Sequence, residues 1–203
     1  MKKSARIPPR SLAVRVLHPW KTLTKKEKRR ECILHTGRHG GLAITLNLKP
    51  EFEDLLNSKS DPMREVSKRM NAELGRRDQR QLPYLLVLEA TKPDGRLHLH
   101  GVFLDQGRSR VMIQTAMRKA VGYIFGRSGS RQFKAKFVYA AVGWHTYLGK
   151  DQTWTRKLLD LDSSDHLWLV SQPMTQIVRA DYETTRLGLK TPANTFLLST
   201  QAK

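Results

Sequence analysis

Two β-rich runs, Leu82–Thr91 and Arg96–Leu104, are separated only by Lys92-Pro93-Asp94-Gly95. Proline presets a turn and glycine accepts the positive φ that follows it, so the two runs must fold back on each other as an antiparallel hairpin. A hairpin carries a register. Period-two alternation puts Tyr84, Leu86 and Leu88 on one face of the first strand and Leu85, Val87 and Glu89 on the other. On the second strand Leu97, Leu99, Gly101 and Phe103 form an apolar face, and His98 and His100 share the opposite one.

The rest of the chain arranges itself around that hairpin. Leu42–Leu48 also alternates, with Ile44, Leu46 and Leu48 as its apolar face, and ends at Pro50. A helix is expected at 62–75, with Ser60 or Asp61 capping and Pro62 in the first turn. A second helix is expected at 110–124, then a loop over Gly126–Ser130, a strand over Phe133–Tyr139 and a short helix over 141–150. The order βαββαβ implies an α+β fold: a ferredoxin-like, RRM-like antiparallel sheet with helices on one face. Residues 41–155 form this expected domain. A basic N-terminal extension (1–40), with weak helical character over Thr24–Leu34, precedes it. A C-terminal extension (156–203) follows, with a helix near Pro173–Arg186 for which Ser171 is a cap.

The net charge is +19, with a pI near 10.5. It is concentrated: residues 1–40 hold twelve Lys/Arg against Glu27 and Glu31, and residues 151–203 are balanced. Such an excess calls for a polyanionic partner, nucleic acid first. Cys32 is the single cysteine, which excludes a disulfide framework within the chain and fits a reducing cytoplasm. No apolar run reaches the roughly 20 residues of a membrane span, and no secretory signal is present. The expectation is a cytoplasmic protein with no membrane partner.

Histidines at i and i+2 on one strand face can ligate a single ion through neutral nitrogens. The hairpin sets Glu89 approximately opposite His98, and Glu89 is the lone acid in an apolar strand, where a carboxylate is costly without a cation or water. Two imidazoles and a carboxylate with open positions suit a divalent ion, Mg²⁺ or Mn²⁺, that also holds a phosphate oxygen. The candidate nucleophile is Tyr147: on a helix it shares a face with Lys150, whose ammonium can assist a phenol and offset phosphate charge. His18, His35, His39 and His166 lack partners at ligand spacing and are expected to be exposed, His145 has no assigned role, and Tyr139 is expected in the core. Tyr123 is the other tyrosine worth testing as nucleophile.

Three segments resemble, in order, the motifs of the HUH endonuclease superfamily, in particular its replication initiator (Rep) proteins. Ile44-Thr45-Leu46-Asn47 is similar to the first motif, and the resemblance makes Thr45 and Asn47 candidate DNA-binding residues. His98-Leu99-His100 matches the histidine–hydrophobe–histidine motif, and Glu89 stands where many members carry an acidic metal ligand. Tyr147-Leu148-Gly149-Lys150 matches the Tyr-x-x-Lys motif. The resemblance spans about residues 41–152. It implies a single-tyrosine enzyme that nicks single-stranded DNA at a replication origin, presented as a single strand or a hairpin, through a 5′-phosphotyrosine, initiating rolling-circle replication of a plasmid or phage. Gly143 and Asp151 disfavour the two-tyrosine branch, and the motif order disfavours relaxases. No phosphate-binding G-x-x-x-x-G-K-[S/T] loop is present, so unwinding falls to a host helicase and extension to a host polymerase. The alternatives are a transposase of the same superfamily and a non-catalytic nucleic-acid-binding protein on the same scaffold.

Overall fold

The computed structural model describes residues 17–92, 94–126 and 131–188. Pro93 of the expected turn, residues 127–130 of the expected loop, residues 1–16 and residues 189–203 lie outside them. Five strands form one antiparallel sheet: β1 (Leu42–Asn47), β2 (Tyr84–Ala90), β3 (Leu97–Phe103), β4 (Phe133–Phe137) and β5 (Trp168–Val170), in the order β4-β1-β3-β2-β5. The first four strands have the connectivity and order of the split βαβ layout, so the expected α+β class is observed. The fifth strand comes from the segment read as a C-terminal extension. It pairs Leu85–Val87 of β2 with Trp168–Val170.

The hairpin closes as its residues require. Gly95 N–H donates to Thr91 O at 2.9 Å, Thr91 N–H donates to Arg96 O at 3.0 Å, and Gly95 sits at φ +69°. The apolar face of the sheet, with Leu42, Ile44, Leu46, Leu86, Leu88, Leu97 and Leu99, is buried in one core. Helix α3 (Pro62–Gly75) adds Met63, Val66, Met70 and Leu74 to that core, and α4 (Arg110–Ala120) adds Ile113, Ala116 and Met117. Asp61 caps α3, accepting from the Arg64 N–H at 3.1 Å, which satisfies an otherwise orphan donor. Helix α4 stops at Ala120, short of the expected 124, because Gly122 takes up φ +84° immediately after the Val121 cap. A short helix, α2 (Pro50–Asn57), stands where only a strand end was expected. Its Pro50 occupies the first turn and its Phe52 and Leu56 are buried.

Helix α1 (Lys25–Arg38) lies in the stretch expected as a basic extension. A capping box explains its start: Thr24 Oγ1 accepts from the Glu27 N–H, and the Glu27 carboxylate accepts from the Thr24 N–H. Cys32 and Ile33 of α1 are fully buried in the common core. Burying a side chain such as Ile33 contributes about 2 kcal/mol, which anchors the helix against its many like charges. The chain continues after β4 through α5 (Ala141–Leu148) and α6 (Gln152–Leu158), and the last described element is α7 (Gln172–Gly188), capped by Ser171 as expected.

The histidine-bearing face of the sheet is covered too, where the expected layout left it open. Helix α5 lies over it, with the Tyr147 hydroxyl 3.5 Å from His100 Nε2. Helix α1 packs against α5 and α7 and reaches β2 and β3. Val87 and Val102 on this face are consequently 1% and 0% exposed. Among the described residues no helix is long and apolar enough to cross a membrane.

Candidate metal centre

Strand pairing assembles the centre. Glu89 is directly opposite His98 across β2–β3, and Thr45 is opposite His100 across β1–β3. Glu89, His98 and His100, at 6%, 8% and 5% exposure, bring one donor atom each to within 4.8 Å of one another. The imidazoles are therefore buried, not on an exposed sheet face as expected, and His100 meets Trp144 and Tyr147 of α5. His98 Nε2 and His100 Nε2 are 3.0 Å apart, and Glu89 Oε2 is 3.7 Å from His100 Nε2. Two ligands bound to one ion at about 2.1 Å and about 90° are about 3.0 Å from each other, so the two nitrogens already hold a chelating separation.

Tautomers decide whether those nitrogens can bind. His98 Nδ1–H donates to Arg96 O at 3.4 Å, and a carbonyl can only accept, so His98 turns an Nε2 lone pair toward its neighbour. His100 Nδ1 is 3.0 Å from Thr45 Oγ1. A hydroxyl can donate or accept. When it accepts, His100 also presents an Nε2 lone pair, and the two lone pairs face one point. When it donates, the Nε2–H of His100 bridges to His98. Thr45 thus lets the pair exist with or without an ion.

The electrostatics favour a cation. Burial, reinforced by His98, holds the His100 pKa down to about 4, and burial lowers that of His98, so both are neutral ligands near neutral pH. Burial pushes the Glu89 carboxyl upward, against the pull of Lys150. Glu89 Oε2 is buried without a hydrogen-bond partner, and Lys150 Nζ stands 3.6 Å from Oε1. An orphaned carboxylate oxygen beside two convergent imidazole nitrogens is the donor set of a divalent ion, so the residues present fit the expected group.

Tyr147 and Lys150 converge on the same point, though not by sharing a helix. Helix α5 ends at Leu148, and Lys150 lies in the turn beyond, its N–H bonded to Tyr147 O at 3.1 Å. Lys150 Nζ is 3.8 Å from the Tyr147 ring centre. Desolvation is the largest influence on Lys150 and lowers its pKa, but the Tyr147 hydrogen bond and the Glu89 charge carry it above the ordinary value. Trp144 stacks on Tyr147 at 5.0 Å with ring planes 9° apart, and donates its indole N–H to Gly101 O at 3.3 Å. Glycine is required there, because a Cβ on Gly101 would lie 2.0 Å from Leu85 O. Trp144 was not singled out in the sequence. A tryptophan one turn before Tyr147 on the same helix was the available signal.

The other expectations divide. Asn47 is exposed at the end of β1 and donates to Arg131 O at 3.2 Å. Tyr139 is 87% exposed, because β4 ends at Phe137 and leaves it outside the sheet. His35 is 2% exposed and bonded to Asp181 of α7 at 2.9 Å, contrary to the expectation of a solvated, unpartnered side chain. His39 is exposed as expected. Comparison with protein-family models, with curated proteins and with solved structures finds nothing that matches this chain.

Proposed function

We propose that the protein is a metal-dependent endonuclease of single-stranded DNA, a replication initiator of the HUH type, in which Tyr147 is the nucleophile. One observation carries the reading: the Tyr147 hydroxyl lies 3.5 Å from His100 Nε2, the nitrogen at which the donor atoms of Glu89, His98 and His100 converge. A Mg²⁺ or Mn²⁺ ion bound by Glu89, His98 and His100 supplies Lewis-acid polarisation of the scissile phosphate.

The chain's own residues do the rest. Tyr147 Oη attacks phosphorus, forming the Oη–P bond as the P–O3′ bond breaks. The phenol proton leaves and the departing 3′ oxygen gains one, so no water is consumed and the phosphodiester energy is kept in a 5′-phosphotyrosine. Lys150 offsets charge on the phosphate in the transition state. Trp144 holds the phenol ring in place by stacking. On the same sheet face, Lys134 and Lys136 of the exposed edge strand β4 stand opposite Thr45 and Ala43, giving a polyanion a basic approach to the centre. Host helicase and polymerase are the partners this chemistry needs, at an origin presented as a single strand or hairpin.

The test uses a pool of single-stranded oligonucleotides labelled at the 3′ end, with Mn²⁺, on a denaturing gel. The label travels with the protein; chelator abolishes this, and so does Tyr147→Phe, which leaves DNA affinity unchanged. Nicking that survives in Tyr147→Phe ends the assignment.

A further inference from the structure

Helix α1 places His35 and His39 one turn apart at its C-terminal end, and α7 brings Asp181 to them. The imidazole rings are 4.2 Å apart, tilted by 38°, and each of the three residues has a donor atom within 4.8 Å of the others. His35 Nδ1 pairs with Asp181 Oδ2 at 2.9 Å. That separation is the one two ligands of a single ion hold, so Nδ1 of this 2% exposed imidazole and the Asp181 carboxylate can share a cation once Nδ1 gives up its proton; Nε2, across the ring, is buried without a hydrogen-bond partner. The cluster borders a cleft of about 550 Å³, lined also by Leu104, Gln106 and Ile177, with ample room for an ion and its waters. The C-terminal carbonyls of α1 point their negative dipole end toward the same place.

We propose that His35, His39 and Asp181 form a second metal site, separate from the Glu89 centre, that takes a borderline divalent ion of the Zn²⁺ class and ties α1 to α7. A His-x-x-x-His pair on one helix with a carboxylate from another supplies two nitrogens and one oxygen, and water completes the tetrahedron. Mg²⁺ prefers oxygen ligands and is disfavoured here. Arg38 is the present counter-charge: its guanidinium is 3.2 Å from Asp181 Oδ2 and 52% exposed, so it can swing into solvent when an ion arrives. The site does not depend on the nuclease reading.

The experiment is a calorimetric titration of the full chain with Zn²⁺, repeated with Co²⁺ to read the ligand-field absorption. In a His98→Ala background one ion still binds, with a tetrahedral Co²⁺ spectrum, and Zn²⁺ raises the melting temperature. Adding His39→Ala, a change at an exposed position, weakens that binding beyond the roughly 10–100-fold cost of losing an outer-shell partner and removes the thermal shift. Arg38→Ala tightens it several-fold by removing the competing cation, an effect that a purely structural cluster does not give. His98→Ala protein that binds no ion, or binding unchanged by His39→Ala, overturns the proposal. Wild-type protein binding one ion, with that ion lost in His39→Ala, supports this site and removes the Glu89 centre instead.

Discussion

The two histidine–carboxylate groups of this molecule are built from different secondary structure and hold their carboxylates in opposite electrostatic states. Glu89, His98 and His100 sit on adjacent strands, where sheet register fixes their separation. His35, His39 and Asp181 sit on two helices, where packing fixes it. Burial pushes Glu89 upward toward its protonated form. For Asp181, desolvation is again the largest influence and raises the pKa, but the His35 hydrogen bond and the charges of His35 and Arg38 hold it below the ordinary value. At the first carboxylate desolvation outweighs the pull of Lys150; at the second, His35 and Arg38 outweigh desolvation. The first group also faces Tyr147, and that carries the catalytic reading.

The largest effect that separates them is on DNA cleavage. His98→Ala should lower the rate of adduct formation by about 10³-fold or more, the equivalent of several kcal/mol of lost phosphate polarisation. His39→Ala should leave that rate unchanged. A gel time course with both variants breaks the contrast if the two fall together.

Acid titration comes next. His100 has a folded pKa of about 4, below the roughly 6.5 of a free imidazole, so the unfolded chain binds the extra proton across that interval. Stability from this group is therefore full above the unfolded value and is lost as pH falls from about 6.5 toward about 4, by up to about 3 kcal/mol. Glu89, raised in the folded state, works in the opposite sense, so the slope is best read in Glu89→Gln protein. Urea melts between pH 7 and pH 4 should give a flatter slope when His100→Gln is added; an unchanged slope would place the proton elsewhere.

Thr45→Val is smaller in effect and more selective. It keeps the shape of the side chain and deletes the hydroxyl 3.0 Å from His100 Nδ1. Losing the partner that fixes a ligand's tautomer costs about 10–100-fold in metal affinity. Mn²⁺ titration should show that loss at the Glu89 centre and no change in Zn²⁺ binding at the His35 cluster.

The difference between the groups also explains what the sequence could reveal. Alternation along a strand and a four-residue turn are local signals, and together they place Glu89 opposite His98 before any tertiary contact is known. The i, i+4 spacing of His35 and His39 was equally local, but it has meaning only on a helix. The expected helix stopped at Leu34, although Thr24-x-x-Glu27 spells a capping box and the turn runs on to Arg38. Asp181 could not be found from the sequence, since nothing local couples α7 to α1. The cover over the histidine face was illegible for the same reason: Cys32 and Ile33 are two apolar residues in a strongly basic helix, and only tertiary burial reveals which way they point. Strand β5 is three residues long, too short for alternation to register.

The smallest expected effect is also the one with a sign. At pH 7 a carboxylate with a raised folded pKa costs stability in its charged form, and that cost is fully present above the folded value. Glu89→Gln keeps the size and removes the charge, so the metal-free protein should gain about 1 kcal/mol, less the weak pairing with half-exposed Lys150. Asp181 has the opposite sign: its depressed pKa contributes stability above the unfolded aspartate value, which is lost as pH falls through the folded value. Asp181→Asn should therefore lose about 1 kcal/mol, the charge-assisted part of its bond to His35. Denaturant melts of both variants in chelator test the pair. Saturating Mn²⁺ should then reverse the order at Glu89, because an ion that binds the folded wild type and not Glu89→Gln adds stability to the wild type alone. A Glu89→Gln protein that stays the more stable of the two in Mn²⁺ would mean that the oxygen left without a partner in the sheet is not a ligand.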